Sequence, residues 1–559
     1  MRSKALSLFS LGLLVPVTLA QGAGEPDAVF REVGERLLPG VVTRCGEVDK
    51  QWILEVNGGG LATGDFDGDG LHDLVVVDGS TVAAAWAGEP GGAPRLFLQG
   101  EGGELAPAGD GWAMAGGRFG MGAAAADLEG DGDLDLLVTE WGRDRLFRNE
   151  ANSGFREVAE GSGLVGEFWG TSAAFFDLEG DGDLDLAVVN YLHFDPTQIA
   201  SKEDAACRWK GRAVLCGPEG MQPQHDQLYR NRGAGTFEEN TASAGFSPRR
   251  AAFGLGITTL DIDLDGDTDL YVSNDSTPNH LWQNEGGGLL REVGLRRGVA
   301  LDSNGKEQAG MGIAVGDFNE DGREDLFCTN FSGEANALYL STARGRFRER
   351  ASPGGIGGPS IPLLGWGTVA MDVDLDGDLD LAVVNGHVYP QAAEVGTDTT
   401  YGQRDFLFRG LGSGRFEAQF LSTADASVSR ALTWMDLGAD GSLDLVAITM
   451  DGPLRVLQNQ VDPGVDGHWL SVQLVDLESK NRGALGARVV VEWEGRELTR
   501  EVRTAGGFQS SVPAQVYFGL GTAEAVKIVV TWPDGSRTQR VQLELDRHLV
   551  IEKQAEESR

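Results

Sequence analysis

The chain has 559 residues and carries 85 acidic against 46 basic side chains, a net charge of −39. A charge of that sign and size repels nucleic acid and anionic lipid and leaves cations as the natural counterpart. The length exceeds what one small core serves, so several domains or a repeat architecture are required, and an apolar content of 41% excludes a disordered acidic chain.

In chain order, residues 1–20 open with Arg2 and Lys4, continue through an apolar run to about Leu19 and end in small residues around Ala20. That is the layout of a secretory signal peptide cleaved near Ala20, which makes the mature protein secreted, extracellular or periplasmic. No later segment approaches the roughly 20 apolar residues needed to span a bilayer.

From residue 65 a nine-residue pattern, D-x-D-x-D-G-x-x-D, recurs seven times with its first aspartate at 65, 127, 177, 261, 317, 372 and 436. Its oxygen-bearing positions are Asp65, Asp67, Asp69 and Asp73 in the first copy, then Asp127, Glu129, Asp131, Asp133 and Asp135 in the second. The third holds Asp177, Glu179, Asp181, Asp183 and Asp185, and the fourth Asp261, Asp263, Asp265, Asp267 and Asp269. The fifth holds Asp317, Asn319, Asp321 and Asp325, the sixth Asp372, Asp374, Asp376, Asp378 and Asp380, and the seventh Asp436, Asp440 and Asp444. Carboxylates this close repel one another unless a cation sits between them. Calcium takes six to eight oxygens from a flexible loop, and alternate residues of a curled chain can aim carboxylates at one point. Up to seven calcium ions are therefore expected. The seventh site should be the weakest, because Gly438 and Ser442 stand where other copies place acids. Magnesium fits less well, since it demands a rigid octahedron and keeps its waters.

An EF-hand would close with a glutamate at position 12 inside a helix. Here position 12 is Val76, Val138, Val188, Val272, Cys328, Val383 or Ala447, within apolar runs suited to strands. Five of the loops are followed by a second pattern, such as LFRNEANSGFREV or LYRNRGAGTFEEN, which alternates into a glycine turn and out again as a hairpin does. One period holds about four short strands. Seven such units, none able to bury its own faces, predict an all-β fold: a seven-bladed β-propeller over 28–462.

Between the third and fourth loops lies a long insert containing CRWKGRAVLC, in which Cys207 and Cys216 are expected to form a disulfide worth roughly 2–3 kcal/mol. Cys328 reads as a buried core residue and Cys45 has no evident partner; with no CxxC pair, zinc is not indicated. From residue 466 to 553, alternating runs such as ARVVVEWEG and VKIVVTW predict a small β-sandwich.

The loops and the L-[FYW]-x-N-x-G-x-G-x-F signature resemble the FG-GAP/VCBS repeats of integrin α-like propellers. With the cysteine insert, VVNGHVYPQ at 383–391 and the segments NRGALGARV, AGGFQSSV, YFGLG and WPDG, the chain resembles the cartilage acidic protein family and its bacterial relatives, with their C-terminal ASPIC/UnbV domain. The resemblance implies a secreted calcium-binding propeller and no defined common activity.

No histidine lies in an HExxH or comparable catalytic motif. His193, His225 and His387 fall in or near the long connections, and Tyr191, Arg208, Trp209 and Lys210 add an aromatic and basic patch over one end of the propeller. The favoured reading is a non-enzymatic binding, adhesion or scaffold module stapled by calcium, with an extracellular protein or polysaccharide as ligand. The alternative is a polysaccharide lyase or hydrolase; a lyase needs a base, a histidine or lysine, near a cation in the channel mouth, and dispersal of those three histidines would weaken that reading.

Overall fold

The computed structural model describes residues 29–158, 161–204, 206–233, 235–343 and 345–554; the expected signal peptide lies outside them. The strands group into seven four-stranded antiparallel units. The second and third join into one sheet through pairing of Phe168–Phe176 with Asp135–Gly142. In every unit the ninth aspartate of the loop is the first residue of the second strand and pairs with the last residue of the first. The pairs run Gly64↔Asp73, Ala126↔Asp135, Phe176↔Asp185, Leu260↔Asp269, Gly316↔Asp325, Met371↔Asp380 and Met435↔Asp444. All seven acidic loops are thus hairpin turns of one register, gathered on one end of a propeller.

The first strands line the axis, where backbones crowd. A Cβ added at Gly312 would lie 2.1 Å from the carbonyl oxygen of Trp366 in the next unit, and one at Gly256 would lie 2.4 Å from that of Met311. Only glycine permits that approach, which explains runs such as GLGITTL and GMGIAVG. Outward of the axis the apolar faces of neighbouring units pack against each other, for example Leu74, Val76 and Phe97 against Ala431, Val446 and Val456. The ring closes with an exchange: Phe30–Glu32 supplies the outer strand of the last unit by pairing with Arg455–Asn459.

The C-terminal region is a β-sandwich of a three-stranded sheet, led by His468–Val475, and a four-stranded sheet built on Arg488–Trp493. Alternation along these strands sends Leu470, Val472, Val489, Val491, Ile528 and Val530 into one core. One hairpin leaves the sandwich and enters the propeller. In it, Ser510 and Ser511 pair in parallel with Leu61 and Ala62 of the first unit. Ala123 N donates to Gln509 O at 3.2 Å, and Gly507 and Ile313 exchange two backbone bonds of 2.8 and 2.9 Å. Thr258 Oγ1 donates to Ala505 O, Thr433 Oγ1 donates to Ser511 O, and Gln509 N donates to Ser172 Oγ. Phe508, fully buried, packs edge-on to Trp366 at 4.9 Å. The segment AGGFQSSV therefore plugs the channel and touches all seven units; its small residues are what a strand at a crowded axis needs.

The other end of the channel is filled by Trp52, Tyr191, Phe194, Leu215, Phe331 and Tyr389. The expected disulfide joins Cys207 to Cys216, with Cα atoms 5.4 Å apart. It closes a small hairpin that reaches from the third unit to the sixth. There Trp209 lies 4.7 Å from His387 and 5.7 Å from Tyr389, Lys210 pairs with Asp398, and Arg212 Nε donates to Glu394 at 2.8 Å. Cys45 and Cys328 are both buried thiols.

Candidate metal centres and the domain over them

Each loop is wound around its first aspartate. In the second loop Asp127 accepts backbone N–H groups from Gly130, Asp131 and Gly132 at 2.8–3.1 Å. The same pattern surrounds Asp65, Asp177 and Asp261. The ninth aspartate is held from two sides. Asp135 accepts Leu128 N at 3.1 Å from its own loop and Asn149 N at 2.8 Å from the third strand. These bonds fix both carboxylates while leaving lone pairs that point inward.

Three loops bring carboxylate oxygens within 4.8 Å of one another: Asp65, Asp67 and Asp73; Asp261, Asp263 and Asp265; and Asp372, Asp374 and Asp380. In the last two, Asp263 Oδ1, Asp372 Oδ1 and Asp374 Oδ1 are buried without a hydrogen-bond partner. An orphaned buried carboxylate oxygen is costly, and an ion is one of the few things that explains it. The electrostatics agree. Burial pushes Asp73 up to about 7 and Asp135, Asp185 and Asp325 up to about 8, and holds Asp269, Asp380 and Asp444 well above the usual carboxylate range. An all-oxygen, carboxylate-rich, flexible donor set of this kind suits a hard divalent cation, calcium above magnesium. Asp317, Asn319, Asp321 and Asp325 repeat the winding, with both Asp317 and Asn319 accepting the N–H of Asp321.

Arginines flank the third position. Arg230 Nε meets Glu179 at 2.8 Å and Arg297 Nη2 meets Asp263 at 3.1 Å, while Arg148 pairs with Glu129 and Arg409 with Asp374. Three asparagines whose role is invisible from the loop pattern alone stitch neighbouring units together. Asn149 Nδ2 donates to Phe66 O at 2.8 Å, Asn284 Nδ2 to Leu178 O at 2.9 Å and Asn459 Nδ2 to Val373 O at 3.0 Å. The recurring Asn at the end of LFRN, LWQN and VLQN is the signal that marks them.

The seventh loop is different. Its Asp436 is contacted by Tyr517 OH at 3.1 Å and His548 Nε2 at 3.6 Å, and a Cβ on Gly441 would strike the ring of Trp469 at 2.0 Å. The sandwich sits on this loop, and its side chains surround the aspartate that elsewhere faces the centre.

The three histidines do not come together. His387 is buried among Trp209, Phe331 and Tyr389, and burial, with Arg430 and Lys210 nearby, pushes its imidazole down to about 3. His193 and His225 are exposed. Two cavities lie elsewhere. One of about 110 Å³ lies between the sandwich and the fifth and sixth units, beside Asp372 and Arg500. The other, of about 50 Å³, lies at the opposite end of the channel beside Tyr191, Asp275 and Asn57. No helix of the described residues is long and apolar enough to cross a membrane.

The FG-GAP-like repeat family model matches residues 65–138, 127–188, 261–328 and 317–383, and the ASPIC and UnbV model matches residues 477–558. Among curated proteins the chain is similar to Cartilage acidic protein 1 of Mus musculus, 29% identical over 330 residues, covering 57% of this chain and 47% of that protein. It is also similar to Cartilage acidic protein 1 of Homo sapiens, 28% identical over 331 residues, covering 57% and 46%. The matches thus span about half the length of these relatives. Among solved structures it is similar to an N-acetylglucosamine-recognising lectin of Agrocybe aegerita, at 15% identity, 70% of this chain, 85% of that one and a TM-score of 0.37. It is likewise similar to rhamnogalacturonan lyase PL11 of Bacillus licheniformis, at 14% identity, 91% and 92% coverage and a TM-score of 0.31. At such scores neither bears on fold or function. The chain is an FG-GAP-repeat β-propeller protein with a C-terminal ASPIC and UnbV domain, and a relative of Cartilage acidic protein 1.

Proposed function

We propose that the protein is an exported binding scaffold whose loops are stapled by calcium, with its ligand taken at the end of the propeller away from those loops. The observation that carries the calcium reading is the set of buried, unpartnered oxygens Asp263 Oδ1, Asp372 Oδ1 and Asp374 Oδ1 within converging carboxylates. Asp372, Asp374 and Asp380 would hold one ion, and the corresponding residues of loops one to five would hold others. At the seventh loop Tyr517 and His548 contact Asp436 and Trp469 lies against Gly441, which favours six ions over seven.

The bound ions neutralise carboxylates that otherwise repel, so they stabilise the fold and leave the chemistry of recognition to the free end. There the aromatic and basic surface around Trp209, with Lys210 4.8 Å from its ring, suits a saccharide or an acidic protein segment. The deciding experiment is thermal unfolding of chelated protein with calcium returned in steps and magnesium as control. Six sites filled at a hundredfold excess over Kd would each add about 2.7 kcal/mol. A calcium-specific rise in Tm with close to six ions per chain supports the reading. Chelated protein free of metal and unchanged in Tm by calcium would discard it.

A further inference from the structure

The loops carry an acid at position 7 in four copies, Asp133, Asp183, Asp267 and Asp378, and these differ from the other positions in where they lie. None of the three converging carboxylate groups includes a position-7 residue. The backbone explains this. The N–H of position 7 donates to the carboxylate of position 5, at 3.0 Å from Asp133 to Asp131 and 2.9 Å from Asp378 to Asp376. The first and ninth aspartates, by contrast, are pinned by N–H groups of their own loops. At two of the four, Asp183 and Asp378, position 7 meets a basic side chain of the sandwich. Lys480 Nζ meets Asp183 Oδ1 at 2.7 Å, and Arg496 Nη2 lies 2.6 Å from Asp378 Oδ1 and 2.6 Å from Glu320 Oε1. Arg496 also donates to Asp376 O at 2.6 Å, and Arg488 to Gly322 O at 2.8 Å. These contacts fall on positions 4 to 7 of a loop, the outer rim, whereas at position 1 the sandwich reaches Asp436 of the seventh loop through Tyr517 and His548.

We infer that the position-7 carboxylates of Asp183 and Asp378 are docking contacts for the C-terminal domain and not cation ligands, so that this domain is clasped by charge onto the ion-bearing face. The ligand half of this inference rests on the calcium reading above; the clasp half stands on the ion pairs alone. The division has a physical logic. An ion held by positions 1, 3, 5 and 9 leaves the loop rim still negative, and in the sixth loop five aspartates exceed one divalent charge by three. The residual charge holds Lys480 and Arg496, and through them the sandwich whose hairpin fills the channel. Ion occupancy and docking of the domain then support each other, because the ion fixes the loop shape that presents the rim.

The test uses the whole protein and three double variants. Asp183→Asn with Asp378→Asn should leave the calcium count per chain unchanged and its affinity within about twofold of the parent, while amide hydrogen exchange in 504–512 speeds up by roughly three- to tenfold. Asp181→Asn with Asp376→Asn, at position 5, should lower the calcium count by two. Lys480→Gln with Arg496→Gln, which leaves the loops intact, should speed the same exchange. Loss of calcium from the position-7 variant to the extent seen at position 5 overturns the assignment, and so does unchanged exchange in 504–512 in both rim-directed variants. If the parent binds no calcium the scaffold reading falls by itself, and the exchange measurement then decides the clasp alone.

Discussion

The two ends of the channel are both closed, by different means. At the loop end a hairpin from the C-terminal domain enters the axis, bonds to six units, largely through backbone groups and short hydroxyl side chains, and packs Phe508 on Trp366 of the sixth. At the far end a disulfide-closed hairpin lies over aromatic rings and is tied at its rim by Lys210–Asp398 and Arg212–Glu394, whose acids are more than half exposed. The first closure is part of the core, because removing it would expose backbone groups of seven strands. The second is a surface strap, which can loosen locally without opening the ring. The adaptable surface is the loose end, which is where the proposed ligand would be taken.

Phe508 anchors the firm end. Phe508→Ala leaves a cavity at the axis and should cost about 3–5 kcal/mol of global stability, read by chemical denaturation; a loss below about 1 kcal/mol would mean the plug is dispensable. Replacing Cys207 and Cys216 together by serine should cost at most about 2–3 kcal/mol, and protease cleavage should concentrate in 196–216. Cleavage spreading into the seven units would show that the strap is core after all.

A pH series sharpens the contrast further. His387 is held down to about 3, and His280 down to about 4, chiefly by burial. A histidine depressed in the fold stays neutral there, while in the unfolded chain it protonates below about 6.5. Its stabilising contribution is therefore complete above that pH and is lost as the pH falls toward 3–4. His387→Gln should flatten this acid limb by up to about 1.4 kcal/mol per pH unit. An unaltered slope of Tm against pH would show that His387 takes up a proton without opening the strap. The smallest effect is expected from Lys210→Ala, which removes an exposed pair worth at most about 1 kcal/mol and should show only as faster exchange around 207–216. A larger loss would place Trp209 and its neighbours under that single pair.

Much of the architecture could be read from the sequence because its signals are local. Seven nine-residue loops, each opening an apolar strand, gave hairpins of one register, and alternation in ARVVVEWEG and VKIVVTW gave the sandwich. The short spacing of Cys207 and Cys216 gave the disulfide. What escaped reading depends on contacts from 81 to more than 400 residues apart. AGGFQSSV shows small residues but not their destination, since its partners Leu61, Thr258 and Ile313 lie far upstream. Nothing near Asp436 announces Tyr517 or His548. Asn149, Asn284 and Asn459 were visible as a recurring letter without a role, because each bonds into the unit before its own. Phe30–Glu32, three residues long, is too short for any periodicity to mark it as a strand.

That short strand governs how the molecule is made. Its partner, Arg455–Asn459, is the last segment of the ring to leave the ribosome, so the first strand waits through more than four hundred residues of synthesis before it has anything to pair with. Folding that must join the two ends of so long a chain is slow, and the plug cannot find its seven neighbours until that joining is done. A chain stopped anywhere before residue 459 keeps an open sheet edge, and fragments shorter than this should aggregate where the complete protein does not.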